Sequence, residues 1–216
     1  MREEFRADLA EVSRTLVAMA DGVRVAMRRA TEALLTADRD IAEGVIDGDP
    51  EIDALFRIVE DKVFDVVARQ APVASDLRLL LTSLHVGGDL ERMGDLAEHV
   101  ARTARRRHPA AVVPTELAEV FGQMGEVADQ LAGKIAKAIS ALDAVAAAQM
   151  ERDDDVMDDL HRQLFKLLLG PEWQHGVEVA VDTALLGRYY ERYADHAVNV
   201  GRHVVFLVTG ESLRSS

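Results

Sequence analysis

Two stretches of the chain, one hundred residues apart, carry the same pair of acidic residues. Glu91 and Asp95 form the pair in the first stretch, and Glu191 and Asp195 form it at the matching positions of the second. Residues four apart on a helix lie one turn apart on the same face, so each pair can present two carboxylates together. Carboxylate oxygens are the ligands that hard cations prefer. The pairs therefore predict either a cation site or a solvated acidic helix face.

A second acidic pair with the same spacing precedes each of the first ones. It consists of Asp49 and Asp53 in the first half and of Asp154 and Asp158 in the second. At this acid content several such pairs arise by chance, so the spacing alone is weak evidence and the recurrence in matching register is the signal. Carboxylates gathered on neighbouring helices repel one another unless they are solvated, protonated or neutralised by a cation.

Three interpretations of these acids remain open. As a metal site, an all-oxygen set favours Mg²⁺, Ca²⁺ or Mn²⁺, while a nearby imidazole from His99 or His196 would admit Fe or Zn. As a solvated stripe, which the spacing alone favours, the acids would pair with arginines of the same helices, namely Arg92, Arg102, Arg192 and Arg202. A carboxylate–metal enzyme is the third interpretation. No nucleophile with a base, no glycine-rich phosphate loop and no duplicated Glu-x-x-His accompanies the acids, so we expect a non-enzyme.

Charge and cysteine content exclude several function classes. The formal net charge of −13 argues against nucleic-acid binding, and we interpret the basic run Arg105, Arg106 and Arg107 as a positive helix end. The absence of Cys excludes disulfides and thiolate sites and fits a reducing compartment. No stretch has the length and apolarity of a membrane span or a signal peptide. We therefore expect a cytoplasmic protein without membrane insertion.

The elements that must position the acids are long helices. Apolar residues make up 49% of the chain and aromatic residues only 5%, and the apolar positions recur every three or four residues. This pattern predicts helices at residues 3–36, 38–70, 75–108, 115–148, 150–170 and 175–207. Because the second half repeats the first, we predict an all-α fold of two tandem, pseudo-symmetric three-helix bundles, residues 1–108 and 115–216, joined by a short linker.

Several local features refine this prediction. Asp38 and Thr115 are expected N-caps of the second and fourth helices, and Ser75 or Asp76 of the third. The sequence Gly48-Asp49-Pro50 predicts a bend or restart of the second helix, since Pro lacks a backbone donor. Gly87 and Gly88 within the third helix indicate the close approach of a neighbouring backbone.

The run Gln70-Ala71-Pro72-Val73-Ala74-Ser75-Asp76-Leu77-Arg78, followed by Asp89-Leu90-Glu91-Arg92-Met93-Gly94-Asp95, resembles the signature of the PhoU family. The resemblance extends over nearly the whole chain, including the tandem order of three helices and three helices. The second copy departs from the pattern, because Ala194 stands in the place of Gly94 and the Pro-Val-Ala turn is not repeated.

The resemblance implies both a fold and a function. PhoU-like proteins consist of two three-helix bundles whose acidic motifs bind Fe, Zn, Mn or Mg. The matching residues here are Asp49, Asp53, Glu91, Asp95, Asp154, Asp158, Glu191 and Asp195. The resemblance also implies a negative regulator of phosphate uptake and of the phosphate-starvation response. Its expected partners are the ATPase subunit of the phosphate-specific ABC transporter, a sensor histidine kinase and a second copy of the chain.

Overall fold

The computed structural model describes residues 2–211, which form six long helices and one short 3-10 turn without a strand. The helices are α1 (Arg2–Thr36), α2 (Arg39–Gln70), α3 (Ser75–Arg107), α4 (Ala118–Ala141), α5 (Ala144–Leu168) and α6 (Gly176–Thr209), and the 3-10 turn spans Thr115–Leu117. The predicted all-α class and the order of two three-helix sets are confirmed. Between residues 2 and 211 no helix combines the length and the apolarity that a membrane crossing requires.

One continuous hydrophobic core joins the two sets of helices. α1, α2 and α3 pack on one another, α5 and α4 pack on α6, and the halves meet where α1 lies on α4 and α3 lies on α6. Two fully buried tyrosines of α6 also bond to α1. Tyr190 Oη lies 2.7 Å from Thr31 Oγ1, and Tyr193 Oη donates to the carbonyl of Val23 at 3.1 Å. The halves therefore do not move as independent units.

Aspartate caps begin two of the helices. Asp38 accepts a hydrogen bond from the backbone N–H of Ile41, as predicted. Asp143 accepts from the N–H groups of Val145 and Ala146, directly after Leu142 in the left-handed conformation with φ 50°. The predicted end of the fourth helix near residue 148 is therefore wrong. The alanine-rich run belongs to the first turns of α5, because the cap outweighs the uninterrupted helix propensity around it.

Other local predictions also need correction. α2 continues through Pro50 without a restart. None of Ser75, Asp76 and Thr115 acts as an N-cap, because α3 begins after Ala74 and the 3-10 turn precedes α4. The close approach at Gly87 comes from a side chain, since a Cβ there would lie 2.7 Å from Cδ2 of Phe56.

Candidate functional site

In the first bundle, the acids of α2 and α3 face each other across the helix contact. Asp49 of α2 lies against Gly94 of α3, where a Cβ would stand 3.2 Å from its Oδ1. Burial raises the pKa of Asp49 to about 6, and the negative charges of four neighbours add to that effect. Those neighbours are Glu98, Asp53, Asp95 and Glu91. The two acidic pairs predicted from sequence are therefore parts of one electrostatic cluster.

The second bundle repeats this arrangement. Burial of Asp154, together with the charges of Asp158, Asp195 and Glu191, raises the pKa of Asp154 to about 7. Its Oδ1 is buried and has no hydrogen-bond partner within residues 2–211. A buried carboxylate oxygen without a partner is costly, and a cation or a proton would remove the cost. Asp154 therefore marks the point of the second cluster where positive charge is most needed.

The most perturbed acids occupy equivalent positions of the repeat. Asp49 lies four residues before Asp53, Asp154 lies four residues before Asp158, and both are on the middle helix of their bundle. Partial burial also raises the pKa values of Glu91 and Glu191, which face them from α3 and α6. Since the pKa values of equivalent acids are raised in both halves, the perturbation is a property of the repeated motif.

Arginines offset part of this negative charge. Arg92 Nη1 lies 2.7 Å from Asp95 Oδ2 and its Nε lies 3.5 Å from Glu91, while Arg188 pairs with Glu191 in the second bundle. The interpretation of a solvated, arginine-paired stripe is therefore supported for the outer acids, but of its four named arginines only Arg92 pairs with them. Arg102 pairs with Glu98 and Arg202 with Glu151, and the arginine that pairs with Glu191, Arg188, was not predicted. That interpretation does not extend to the inner acids, because among residues 2–211 neither Asp49 nor Asp154 pairs with a cationic side chain.

The structure changes the candidate donor set. Glu98 was not predicted, although its spacing from Glu91 and Asp95 puts all three on one face of α3. Its charge is the largest electrostatic contribution to the raised pKa of Asp49. Of the two candidate imidazoles, His99 bonds to the Asp95 carbonyl at 2.6 Å and His196 bonds to Asp89 at 2.9 Å. The bond at Nδ1 does not remove Nε2 of His99 as a ligand atom, whereas His196 is turned toward Asp89. The side chains with raised pKa values at both clusters supply carboxylate oxygens.

Within residues 2–211, no three His, Asp or Glu side chains already have the arrangement of a closed metal site. The donors nevertheless fit a hard cation, since they are carboxylates, several have raised pKa values, and one buried oxygen has no partner. Binding would require the outer carboxylates to change rotamer and turn toward Asp49 or Asp154. Such a change is small for side chains at a solvent-facing helix contact.

Comparison with known proteins agrees with the duplicated geometry. A family model described as the PhoU domain matches residues 16–104 and, a second time, residues 121–204. The chain belongs to the PhoU family. The first PhoU match contains Asp49, Asp53, Glu91 and Asp95, and the second contains Asp154, Asp158, Glu191 and Asp195. Each copy of the domain therefore contributes one complete acidic cluster.

Relatives of known name cover almost the whole length of the chain. It is 46% identical to "Phosphate-specific transport system accessory protein PhoU homolog 2" of Mycobacterium tuberculosis, over 97% of this chain and 99% of the relative. It is 32% identical to the PhoU homolog of Synechocystis, over 97% and 93% of the two chains. The crystal structure of PhoU from Pseudomonas aeruginosa superposes with a TM-score of 0.84 at 27% identity, covering 96% of this chain and all of that one.

Proposed function

We propose that this PhoU-family chain is an accessory protein of a phosphate-specific transport system. It would act as a negative regulator of phosphate uptake and of the phosphate-starvation response, by coupling the ATPase subunit of the ABC transporter to a sensor histidine kinase. The observation that carries the proposal is the 46% identity, over 97% of the chain, to proteins named as accessory to that system. The long helical surfaces suit docking, and we propose a cytoplasmic homodimer without catalytic activity of its own.

We further propose that each bundle binds metal through its acidic cluster. The first site would use Asp49, Asp53, Glu91 and Asp95, and the second would use Asp154, Asp158, Glu191 and Asp195. The partnerless Oδ1 of Asp154 and the pKa values of about 6 and 7 at the two inner aspartates support this proposal. Oxygen donors favour Mg²⁺ or Mn²⁺, and the motif also admits Fe or Zn.

Metal binding would affect the shape of the docking surface. Each cluster spans two helices, α2 with α3 or α5 with α6, whose carboxylates repel one another. A cation between them would replace that repulsion by attraction and fix the relative position of the two helices. The family's regulatory surface would then depend on the occupancy of the clusters.

The metal proposal is tested by measuring the metal content of protein purified without chelator. We expect bound metal in the wild type and a large loss in the double variant Asp49→Asn with Asp154→Asn. The matched control is Asp61→Asn with Asp159→Asn, which changes the same two helices at exposed positions outside the clusters. Low metal content in all three proteins would refute the proposal. The chain would then be a metal-independent adaptor with an acidic docking face. The ion pairs that Arg92 and Arg188 form with acids of the clusters support this alternative.

The regulatory proposal is tested separately, in a bacterial strain that lacks its own PhoU proteins. A reporter driven by a phosphate-responsive promoter should be active at high phosphate in that strain and become repressed when this chain is expressed. If repression is not restored although the chain accumulates in folded form, the regulatory role is wrong. The double acid variant then shows whether repression requires the clusters.

A further inference from the structure

An open cavity of about 760 Å³ lies between α3 and α6, where the two bundles meet. Arg78, His85, Arg202 and His203 form its polar wall, and Leu81 and Phe206 belong to its apolar wall. The rings of His85 and His203 stack with centroids 5.2 Å apart, and the Arg78 guanidinium lies 5.5 Å from the centre of the Phe206 ring. In a chain with a net charge of −13, two arginines and two histidines therefore surround one cavity.

The internal duplication provides a comparison for this cavity. α3 and α6 run antiparallel, so a shift of one hundred residues exchanges the two ends of their contact. At the other end, Glu178 takes the place of Arg78 and Asp182 takes the place of Thr82. There Asp182 bonds to Arg106 at 2.7 Å and Glu178 bonds to Arg107 at 2.8 Å. The other end of the contact therefore supplies its own anions.

The cavity end lacks a matching acid for one of its two arginines. No carboxylate pairs with Arg78 among residues 2–211, and Phe206 stands where the other end has Arg106. Two acids approach the cavity from other positions. Arg202 donates from Nε to Glu151 at 2.8 Å and from Nη1 to Asn199 Oδ1 at 3.4 Å. Its Nη2 has no hydrogen-bond acceptor among residues 2–211 and can donate to a ligand. Asp89 lies beyond the stacked rings, and its two oxygens are already shared by His196 at 2.9 Å and His203 at 3.4 Å.

We propose that this cavity binds a small, water-soluble organic phosphate. The phosphate would lie against Arg78 and Arg202 with the histidines nearby, because guanidinium groups donate paired hydrogen bonds to phosphate oxygens. The carbon skeleton would cover Leu81 and Phe206. Inorganic phosphate alone leaves this apolar wall exposed, and a volume of about 760 Å³ suits a ligand of nucleotide size. The proposal depends neither on the regulatory role nor on metal binding at the acidic clusters.

Calorimetric titration of the full chain tests this proposal with three pairs of compounds. The pairs are adenosine monophosphate with adenosine, glucose 6-phosphate with glucose, and phenyl phosphate with phenol, and inorganic phosphate is titrated as well. We expect at least one phosphate ester to bind ten-fold or more tightly than its phosphate-free counterpart and than inorganic phosphate. If every ester binds no better than its counterpart, or if inorganic phosphate binds as well as the best ester, the proposal is wrong.

Variants locate the binding. Arg78→Gln and Arg202→Gln should each weaken the best ester at least ten-fold, whereas Arg106→Gln, at the opposite end of the same helix contact, should leave its affinity unchanged. Thr82→Asp keeps both cavity arginines but introduces the acid that the other end has at Asp182, and it should also abolish binding. Circular dichroism confirms that each variant is folded. Equal affinity in Arg78→Gln and in the wild type would overturn the assignment to this cavity.

Discussion

Substitution of Asp154 by Asn should make the free energy of unfolding of the metal-free protein fall less as the pH rises. The change removes the charge of a half-buried carboxyl group and keeps its shape, so packing around α5 is preserved. Since the Asp154 Oδ1 has no partner within residues 2–211, the substitution breaks no hydrogen bond at that atom. The effect on stability should therefore come from the charge.

The magnitude follows from the pKa of Asp154, which rises from 3.8 in the unfolded chain to about 7 in the folded one. Between these two values the folded state binds the proton more tightly than the unfolded state does. The carboxyl group therefore lowers the free energy of unfolding progressively as pH rises from about 4 to about 7. If the whole pKa difference contributes, the free energy of unfolding falls by about 2.5 kcal/mol between pH 5 and pH 8. Solvent screening of this partly exposed group reduces that fall to about 1 to 2 kcal/mol.

The assay is urea unfolding of the wild type and of Asp154→Asn at pH 5 and pH 8, in the presence of a chelator. We expect the variant to retain about 1 to 2 kcal/mol more of its stability at pH 8 than the wild type does, relative to pH 5. Asp159→Asn, five residues further along α5 and exposed beside Arg162, is the matched control and should follow the wild type. Identical pH dependence of the wild type and Asp154→Asn would refute the conclusion that burial and neighbouring acids raise the pKa of Asp154.

Three further substitutions test the packing of the helices. Gly187→Ala should destabilise the protein by about 1 to 3 kcal/mol in urea, because its Cβ would lie 2.4 Å from Leu164 Cδ2. Gly122→Ala, with no atom within 4 Å of its added Cβ, should instead raise the free energy of unfolding by up to about 1 kcal/mol. If Gly122→Ala proved less stable than Gly187→Ala, the close contact of Gly187 with Leu164 would be contradicted. Tyr193→Phe should lower thermal stability by about 1 kcal/mol through loss of the 3.1 Å hydrogen bond to the Val23 carbonyl. An unchanged midpoint would show that this bond contributes nothing to holding α6 on α1.

Helix boundaries show how far local sequence signals reach. The cap at Asp38 was predictable because an Asp side chain just before a helical apolar pattern accepts a hydrogen bond from a free backbone N–H of the first turn. The break at Leu142 was not, since a leucine in the left-handed conformation has no signal of its own inside a run of good helix formers. Continuation of α2 through Pro50 was equally hidden, because its packing against α1 and α3 stabilises the helix around the missing donor.

The acidic clusters were predicted in part. Their eight residues follow from the repeated spacing, and the contact of α2 with α3 follows from the bundle topology. The sequence does not reveal which acid is most perturbed, because that depends on burial and on charges from another helix. Glu98 could have been found from its place on the same face as Glu91 and Asp95. The involvement of His196 with Asp89 could not, since the two residues belong to different bundles and have no repeat-related counterpart.

By itself, the sequence determined the helical class, the duplication and the positions of the paired acids, because each depends on spacing within a single helix or on comparison of the two halves. Only the tertiary structure decided that Asp49 and Asp154 are the acids of their clusters with the most strongly raised pKa values. It also decided that the arginines at one end of the α3–α6 contact pair with acids of α6, while Arg78 at the other end has no carboxylate partner among residues 2–211 and lines a cavity. The physical reason is the same in both cases, since desolvation and electrostatic interaction depend on distances between residues that lie far apart in the chain.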